Sequence, residues 1–427
     1  MKRLQLPLFF SSALFLQFSI PSVVLAQNAA SPLREHVPGS GFRIAEAAWG
    51  TLNFSLYTYV RYLNQKGLDE TYTDSFGRTR RLDLRNDLQL QKVLLYFKGW
   101  LGSEDLRYVF YVWTSNTSQG QGAQVVVAGN ISYRVNEHLD LGVGIGGLPA
   151  TRSVRGQWPF WLKQDNRTIT DEFFRASYTS GLWASGDITG GLHYKAMLGN
   201  NLSQLGVDAG QLDDGFDTFS GALWWTSDTF GTNGPFGDFE HHENLATSFG
   251  AAFSRSNETR QSQPGTEDPE NTQIRLSDGT GIFDVSALAD GTQILEATYR
   301  MAAFDGALKY QGISVEGEYF VRWVTDLVAT GELPVDELFD HGFQLQTSAM
   351  LVPRTLQAYA FGSKIFGEYG EPWDLGGGAN WFPFETKVFR VNAELVYVRN
   401  SPVGYLSFPL VVGANGPVFM TNLELFF

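Results

Sequence analysis

The residues best placed to do chemistry gather in one stretch, where Arg152, Arg155, Lys163, Arg167 and Arg175 are interleaved with Trp158, Phe160 and Trp161. Guanidinium and ammonium groups held close together attract anions and supply donors that replace lost hydration. Asp165, Asp171 and Glu172 offset part of that charge and leave the stretch near +2. The rings are suited to pin a loop to a wall while the cations face a channel. Residues 149 to 176 are therefore expected to form a constriction that contacts anions. A second basic group, Arg78, Arg80, Arg81 and Arg85, lies in an earlier loop and is a candidate to dip inward.

Other chemistries find weaker footing. His241-His242-Glu243 would place neighbouring side chains on opposite faces of a strand, and a metal needs further ligands. Leu276-Ser277-Asp278-Gly279-Thr280 reads as a turn, because one Asp-Gly pair falls short of the oxygen set that calcium takes. Cysteine is absent, which excludes thiolate metal sites, cysteine nucleophiles and haem attachment. No Ser-His pair can be assembled from spacing, so neither an enzyme nor a cofactor is expected.

The elements that must position the loop follow from a period of two. Membrane-crossing β-strands need about ten residues each and alternate apolar-out with polar-in. In 51–62, Leu52, Phe54, Leu56, Thr58 and Val60 point out, with Asn53, Ser55, Tyr57, Tyr59 and Arg61 in. In 313–323, Ile313, Val315, Tyr319 and Val321 point out, with Ser314, Glu316, Glu318 and Arg322 in. Similar segments are placed at 87–100, 106–113, 124–135, 139–148, 177–187, 191–200, 218–227, 244–255, 294–310, 342–352, 355–365, 375–382, 387–398 and 417–427. The expected fold is all-β: a transmembrane antiparallel β-barrel of about 16 strands with an inward-folded third long loop.

Lys92 and Lys98 disturb the alternation of 87–100, and a bulge could restore it. Short turns alternate with long loops except at 228–243, read as a longer turn, while 256–281 reads as a mobile surface loop. The inner wall is mixed, with Arg61, Arg134, Lys195, Arg300, Arg322 and Arg390 against Asp140, Glu296, Glu316, Glu318, Glu394 and Glu424. Trp49, Trp100, Trp113, Trp323, Tyr397 and Phe427 are expected in interfacial girdles.

The ends of the chain agree. Lys2 and Arg3 precede an apolar run to Ile20 and a small-residue pattern ending at Ala26, so 1–26 reads as a signal peptide. Residues 27–50 then form a periplasmic segment and 51–427 the barrel. Without Lys2 and Arg3, 29 of the 31 basic residues remain against 45 acidic ones, a net charge of −16 that argues against a nucleic-acid partner. The last residues, Thr421-Asn422-Leu423-Glu424-Leu425-Phe426-Phe427, alternate up to a terminal aromatic, as the last strand of an outer-membrane barrel does.

The block from Gly142-Val143-Gly144-Ile145-Gly146-Gly147-Leu148-Pro149 through Asp171-Glu172-Phe173-Phe174-Arg175 to Gly181-Leu182-Trp183 resembles the phosphate-selective porin O and P family. Gly317-Glu318-Tyr319-Phe320-Val321-Arg322-Trp323, Trp381-Phe382-Pro383 and Ser401-Pro402-Val403-Gly404-Tyr405 are similar as well. The resemblance implies a homotrimeric outer-membrane channel, set in lipid, whose arginines and lysines guide small anions such as phosphate. A different expectation is a barrel that sheathes a separate multihaem cytochrome, which would have to bring its own haem.

Overall fold

The computed structural model describes residues 33, 36–115, 124–155, 161–163, 167–176, 178–202, 215–227, 229–231, 236–260, 274–404 and 408–427. The expected signal peptide lies outside the described residues. The strands are β1 (Phe42–Ala47), β2 (Gly50–Asn64), β3 (Thr71–Thr73), β4 (Thr79–Arg81), β5 (Asn86–Leu101), β6 (Ser103–Ser115), β7 (Gln124–Asn136) and β8 (Leu139–Gly147). After the short helix α1 (Ile169–Phe174) come β9 (Tyr178–Thr189), β10 (Leu192–Gly199), β11 (Thr218–Thr226), β12 (Ala246–Thr259), β13 (Ile294–Tyr310) and β14 (Ile313–Ala329). The last are β15 (Leu338–Val352), β16 (Leu356–Phe366), β17 (Trp373–Trp381), β18 (Phe389–Arg399) and β19 (Gly416–Phe426).

Each of the predicted strands is present. β2 and β5 to β19 pair antiparallel with their neighbours, and the ring shuts where β19 meets β2, from Phe419↔Asn64 to Phe426↔Tyr57. Closure is obligatory in hydrocarbon, where an unpaired backbone group costs several kcal/mol. At the seam, Tyr57 donates to Glu424 at 2.8 Å, and Arg390 on β18 grips the same carboxylate at 2.9 and 3.0 Å.

β1 lies in the stretch read from sequence as a segment ahead of the barrel. It pairs with β2 at Phe42↔Phe54 to Ala47↔Gly50, where the terminal strand has run out. Phe427 bridges the gap, exchanging backbone hydrogen bonds with Leu56 and packing its ring 5.0 Å from Phe42.

Burial follows the predicted two faces. On β14, Ser314, Glu316, Glu318 and Arg322 are buried, while Ile313, Val315 and Tyr319 are exposed. β5 holds the bulge that its lysines require: Tyr59 pairs with Lys92 but Val60 with Leu90, leaving Gln91 extra. Gln91 and Lys92 are consecutively buried, so Lys92 turns inward over Trp113, and Lys98 on the same face donates to the Gly39 carbonyl.

Two expectations about facing fail. On β13 the buried side chains include Ala297, Tyr299, Met301, Ala303, Asp305, Ala307 and Lys309, whereas Glu296 and Phe304 are exposed. Arg300 therefore points outward, beside outward Trp323 in register, and reaches Thr325 at 2.6 Å and Asp326 at 3.4 Å. Neither Arg300 nor Glu296 belongs to the inner wall. Trp113 also leaves the expected girdle, packing inside against Tyr57, Tyr59 and Leu94. Outward aromatic groups do occur near both rims, as in Trp323 with Phe339 and Trp373 with Tyr397 at one, and Phe54 with Phe97 at the other.

Because Gln91 is the surplus residue, deleting it leaves Gln89 in, Leu90 out and Lys92 in without a bulge. The deletion variant is expected to refold into a barrel with unchanged heat-modifiable mobility on a gel. Deleting Leu95 instead sets the two halves of β5 out of phase and is expected to abolish the folded band.

Candidate functional site: the third long loop and the lumen

The connection between β8 and β9 enters the lumen and lies along the arc β13 to β18. Thr168 starts α1 by accepting from the Asp171 amide at 3.2 Å, and Asp171 and Glu172 occupy the positive first turn. This Thr-x-x-Asp pattern is a start signal that the sequence carried, although the helix was not anticipated. α1 seats on the wall through Thr168 to Gln344 at 2.8 Å, the Ile169 amide to Asp374 at 3.0 Å and Thr170 to Ser363 at 2.9 Å. Phe174 stacks on Phe320 with centroids 5.3 Å apart, and its carbonyl accepts from Tyr299 at 2.7 Å. Gly342 makes the close approach possible, since a methyl group there would meet Phe174 at 2.9 Å and Thr170 at 3.0 Å.

The loop's cations were expected to face the channel, and most face carboxylates instead. Arg152 donates from Nε to Glu316 at 3.1 Å, Arg155 is ion-paired with Asp305, and Lys163 lies 3.7 Å from Glu394. Arg175 forks onto Glu172 at 2.6 and 2.9 Å, and Arg167 reaches the same carboxylate at 3.3 Å while lying 4.1 Å over Trp161. Burial dictates this outcome, because a charge removed from water must find a partner. Trp161 does pin the loop, its carbonyl accepting from Arg390 at 2.8 Å and its indole donating to Ser153 at 3.2 Å. The other expected anchors, Trp158 and Phe160, lie outside the described residues.

Of the residues read as inner wall, Arg61, Arg134, Lys195, Arg322 and Arg390 point inward. Arg322 is paired with Asp340 at 2.6 Å and Arg390 with Glu424 at 2.9 Å. Arg61 donates to Asn422 at 3.0 Å, which continues a ladder through Asn392 to Asn380. Arg134 and Lys195 face a cavity at the turn end. The earlier basic group stays near the loop rim: Arg78 binds Asp74 at 2.6 Å, Arg85 binds Asp87 at 2.6 Å, and Arg80 and Arg81 are exposed.

Sequence reasoning missed three features. The segment between β11 and β12, read as a longer turn, folds inward and buries Phe230, Phe236, Asp238 and Phe239. Phe236 lies 4.8 Å from the Arg152 guanidinium, and the Gly237 amide donates to Glu316 at 2.7 Å. Its three phenylalanines were the available signal, since an exposed turn has no use for them. His242 contacts Asp238 and lies 2.7 Å from the Thr229 carbonyl, so it serves this fold locally. Secondly, the stretch read as a mobile surface loop contains the end of β12 and a packed part, where Ile274, Leu276 and Ser277 are buried. The turn at Leu276–Thr280 is present, with Gly279 at φ +93. Thirdly, His193 lies 2.6 Å from Asp187 and 3.0 Å from Thr226, a line across β9, β10 and β11 that spacing alone does not reveal.

Inward side chains are sealed along β13 to β19, but Tyr96, Tyr111, Asn130, Ser132, Arg134 and Lys195, on β5 to β10, keep part of their surface open. The loop thus covers one side of the lumen and leaves the other. At the turn end of that open side is a cavity of about 670 Å³, lined among others by Arg134, Arg155, His193, Lys195 and Trp224.

No protein-family model matches the chain, and no curated protein matches it. Solved structures do. The outer-membrane expressed OmpT of Vibrio cholerae is 10% identical, with a TM-score of 0.53 over 90% of this chain and 99% of that one. An anion-selective porin from Comamonas acidovorans is 11% identical, with a TM-score of 0.53 over 88% and 99%. The outer membrane channel DcaP of Acinetobacter baumannii is 11% identical, with a TM-score of 0.52 over 90% and 100%. At these identities the likeness is one of fold.

Glu316 joins loop and turn segment, so Glu316→Ala leaves Arg152 buried without its carboxylate and is expected to weaken docking by about 3–5 kcal/mol. Hydrogen exchange at 148–155 and 236–243 should quicken together, while Arg152→Met with Glu316→Leu should cost much less than the sum of single changes. Acid should act through Glu172. Burial pushes its carboxyl up, but Arg175 and Arg167 outweigh this and hold it below the ordinary value of 4.5. Burial pushes Asp171 above its ordinary 3.8 despite Arg167 and Ser153. A depressed carboxylate stabilises the fold above its unfolded pKa and stops doing so as pH falls through the folded one, whereas a raised one resists the charged form. Exchange at 167–176 is expected to stay slow through the titration of Asp171 and to rise only below about pH 4.5.

Proposed function

We propose that the chain is a bacterial outer-membrane porin through which small hydrophilic solutes diffuse passively, with a lean toward anions, working as a homotrimer. The observation that carries this reading is a closed ring, apolar outside, whose own third loop narrows the lumen along one arc and leaves the β5–β10 wall open. A solute would follow that wall, where tyrosine hydroxyls, Asn130, Ser132, Arg134 and Lys195 replace its hydration. The anion-selective porin from Comamonas acidovorans supports the lean by fold likeness, and a Vibrio cholerae OmpT structure described as a trimer form supports the assembly in the same way.

Phosphate falls within this solute range. The pairing of Arg152, Lys163, Arg167, Arg175, Arg322 and Arg390 with carboxylates favours a general anion lean over a dedicated phosphate ladder. The cytochrome-sheath reading draws no support from this lumen, since the chain's own loop and turn segment occupy the space a second protein would need.

Purified protein in a planar bilayer is expected to give discrete ohmic steps, with a reversal potential of anion-selective sign across a potassium chloride gradient. Replacing 151–174 with a short Gly-Ser linker should enlarge the step and weaken selectivity. A protein that stays electrically silent would sink the channel reading, and a cation-selective potential would sink the lean.

A further inference from the structure

The inward cations divide by what they touch. Arg152, Lys163, Arg167, Arg175, Arg322 and Arg390 point at carboxylates, and Arg61 at an amide. Arg107, paired with Asp140, leaves Nε unfilled among the described residues, and three others keep donors open at one cavity. Arg134 makes no hydrogen bond or ion pair among the described residues, and Lys195 has one hydrogen bond there, to the Gly147 carbonyl at 3.2 Å. Arg155 binds Asp305 through Nη2, but its Nε and Nη1 are buried without a partner among the described residues. Its side chain is only 5% exposed.

These three residues line the same cavity of about 670 Å³. The register explains how. Arg134, Asp140, Ser185 and Lys195 are successive partners across β7, β8, β9 and β10, a row about 14 Å long with a small serine in it. The row continues to Ala222 on β11, and two residues on, Trp224 pairs with Gly250. A side chain at Gly250 would overlap the guanidinium of Arg155, which descends from the loop to 5.4 Å from the Trp224 ring.

The cavity also contains carboxylates, and these have neighbours. Asp140 binds Arg107, Asp187 lies 2.6 Å from His193, Glu137 lies 3.5 Å from His138 at the rim, and Asp105 accepts from Ser103 at 3.0 Å. Asp187 and Glu137 stay largely exposed beside their histidines, while Arg155 keeps two buried donors unfilled among the described residues. A buried, unpaired N–H is costly unless an acceptor arrives.

We propose that this cavity is a binding subsite for a small oxyanion-bearing solute, a carboxylate or a phosphate, whose oxygens accept from Arg155 Nε and Nη1 while Lys195 and Arg134 supply charge from the wall. The subsite rests on the channel reading above and names where the solute pauses on its path. It lies at the turn end of the open side, and of the basic cluster that the sequence advertises only Arg155 is among its lining residues.

The full-length barrel refolded in detergent can be titrated with succinate and with inorganic phosphate, using chloride at equal ionic strength as reference and tryptophan fluorescence as readout. A saturable change is expected that disappears in Trp224→Phe. Lys195→Gln breaks no ion pair and should weaken binding about tenfold, as expected for loss of a charged hydrogen bond. Arg155→Gln should weaken it further, and Arg300→Gln, on the outer face, should leave it unchanged. Response to succinate alone assigns a carboxylate, response to phosphate alone assigns a phosphate, and either upholds the subsite. Equal response to chloride, or wild-type affinity in Lys195→Gln and Arg134→Gln, overturns it. Ohmic steps without oxyanion binding would overturn the subsite and spare the channel, whereas binding by an electrically silent barrel would do the reverse.

Discussion

Everything in this molecule depends on a sheet that meets itself. A backbone amide facing hydrocarbon has no water to turn to, so a strand with a free edge cannot persist there. The ring from β2 through β5 to β19 and back removes every edge within it, and β1 with Phe427 extends the pairing where β19 ends. Once the ring exists, each side chain has only two destinations, lipid or lumen. That restriction turns a period of two into a functional map.

The lumen obeys a second constraint. A chain segment folded into it carries charges and amides out of bulk water, and each must be met. The loop between β8 and β9 meets its needs on the wall: Arg152 at Glu316, Arg155 at Asp305, Lys163 near Glu394, and the amide of Ile169 at Asp374. The segment between β11 and β12 converges on the same Glu316 through Gly237. These contacts convert a cluster of cations that looks like an anion trap into a set of fasteners, and they shift the unfilled donors to the turn end of the open side. Selectivity in such a lumen is decided by which donors remain unused, and the basic residue count along the sequence does not give that number.

The polarity rule failed where the lumen is packed. On β13, Tyr299, Met301 and Ala303 face in because α1 and its neighbours lie over them, and Arg300 and Glu296 are left on the outer face. The same packing places Phe320 and Val324 on β14 and Tyr359, Phe361 and Ile365 on β16 inside. An inner wall covered by a loop behaves like the core of a soluble domain, so apolar no longer means outward. The β5 bulge is different: Lys92 and Lys98 break the alternation in sequence, a bulge was one way to restore it, and the register places Gln91 as the extra residue.

By itself the sequence determined the sixteen strands of the ring, most of their ends to within a few residues, the inward set on β2 and β14, and the third loop as one element that enters the lumen. These follow from local periodicity, which survives without knowledge of any neighbour. Only the tertiary structure decided which cation meets which carboxylate, that a turn of unusual length folds inward, and that Arg134, Arg155 and Lys195 share one cavity. Those outcomes depend on residues far apart in the chain, such as Arg152 with Glu316, brought together by a register that no local pattern encodes.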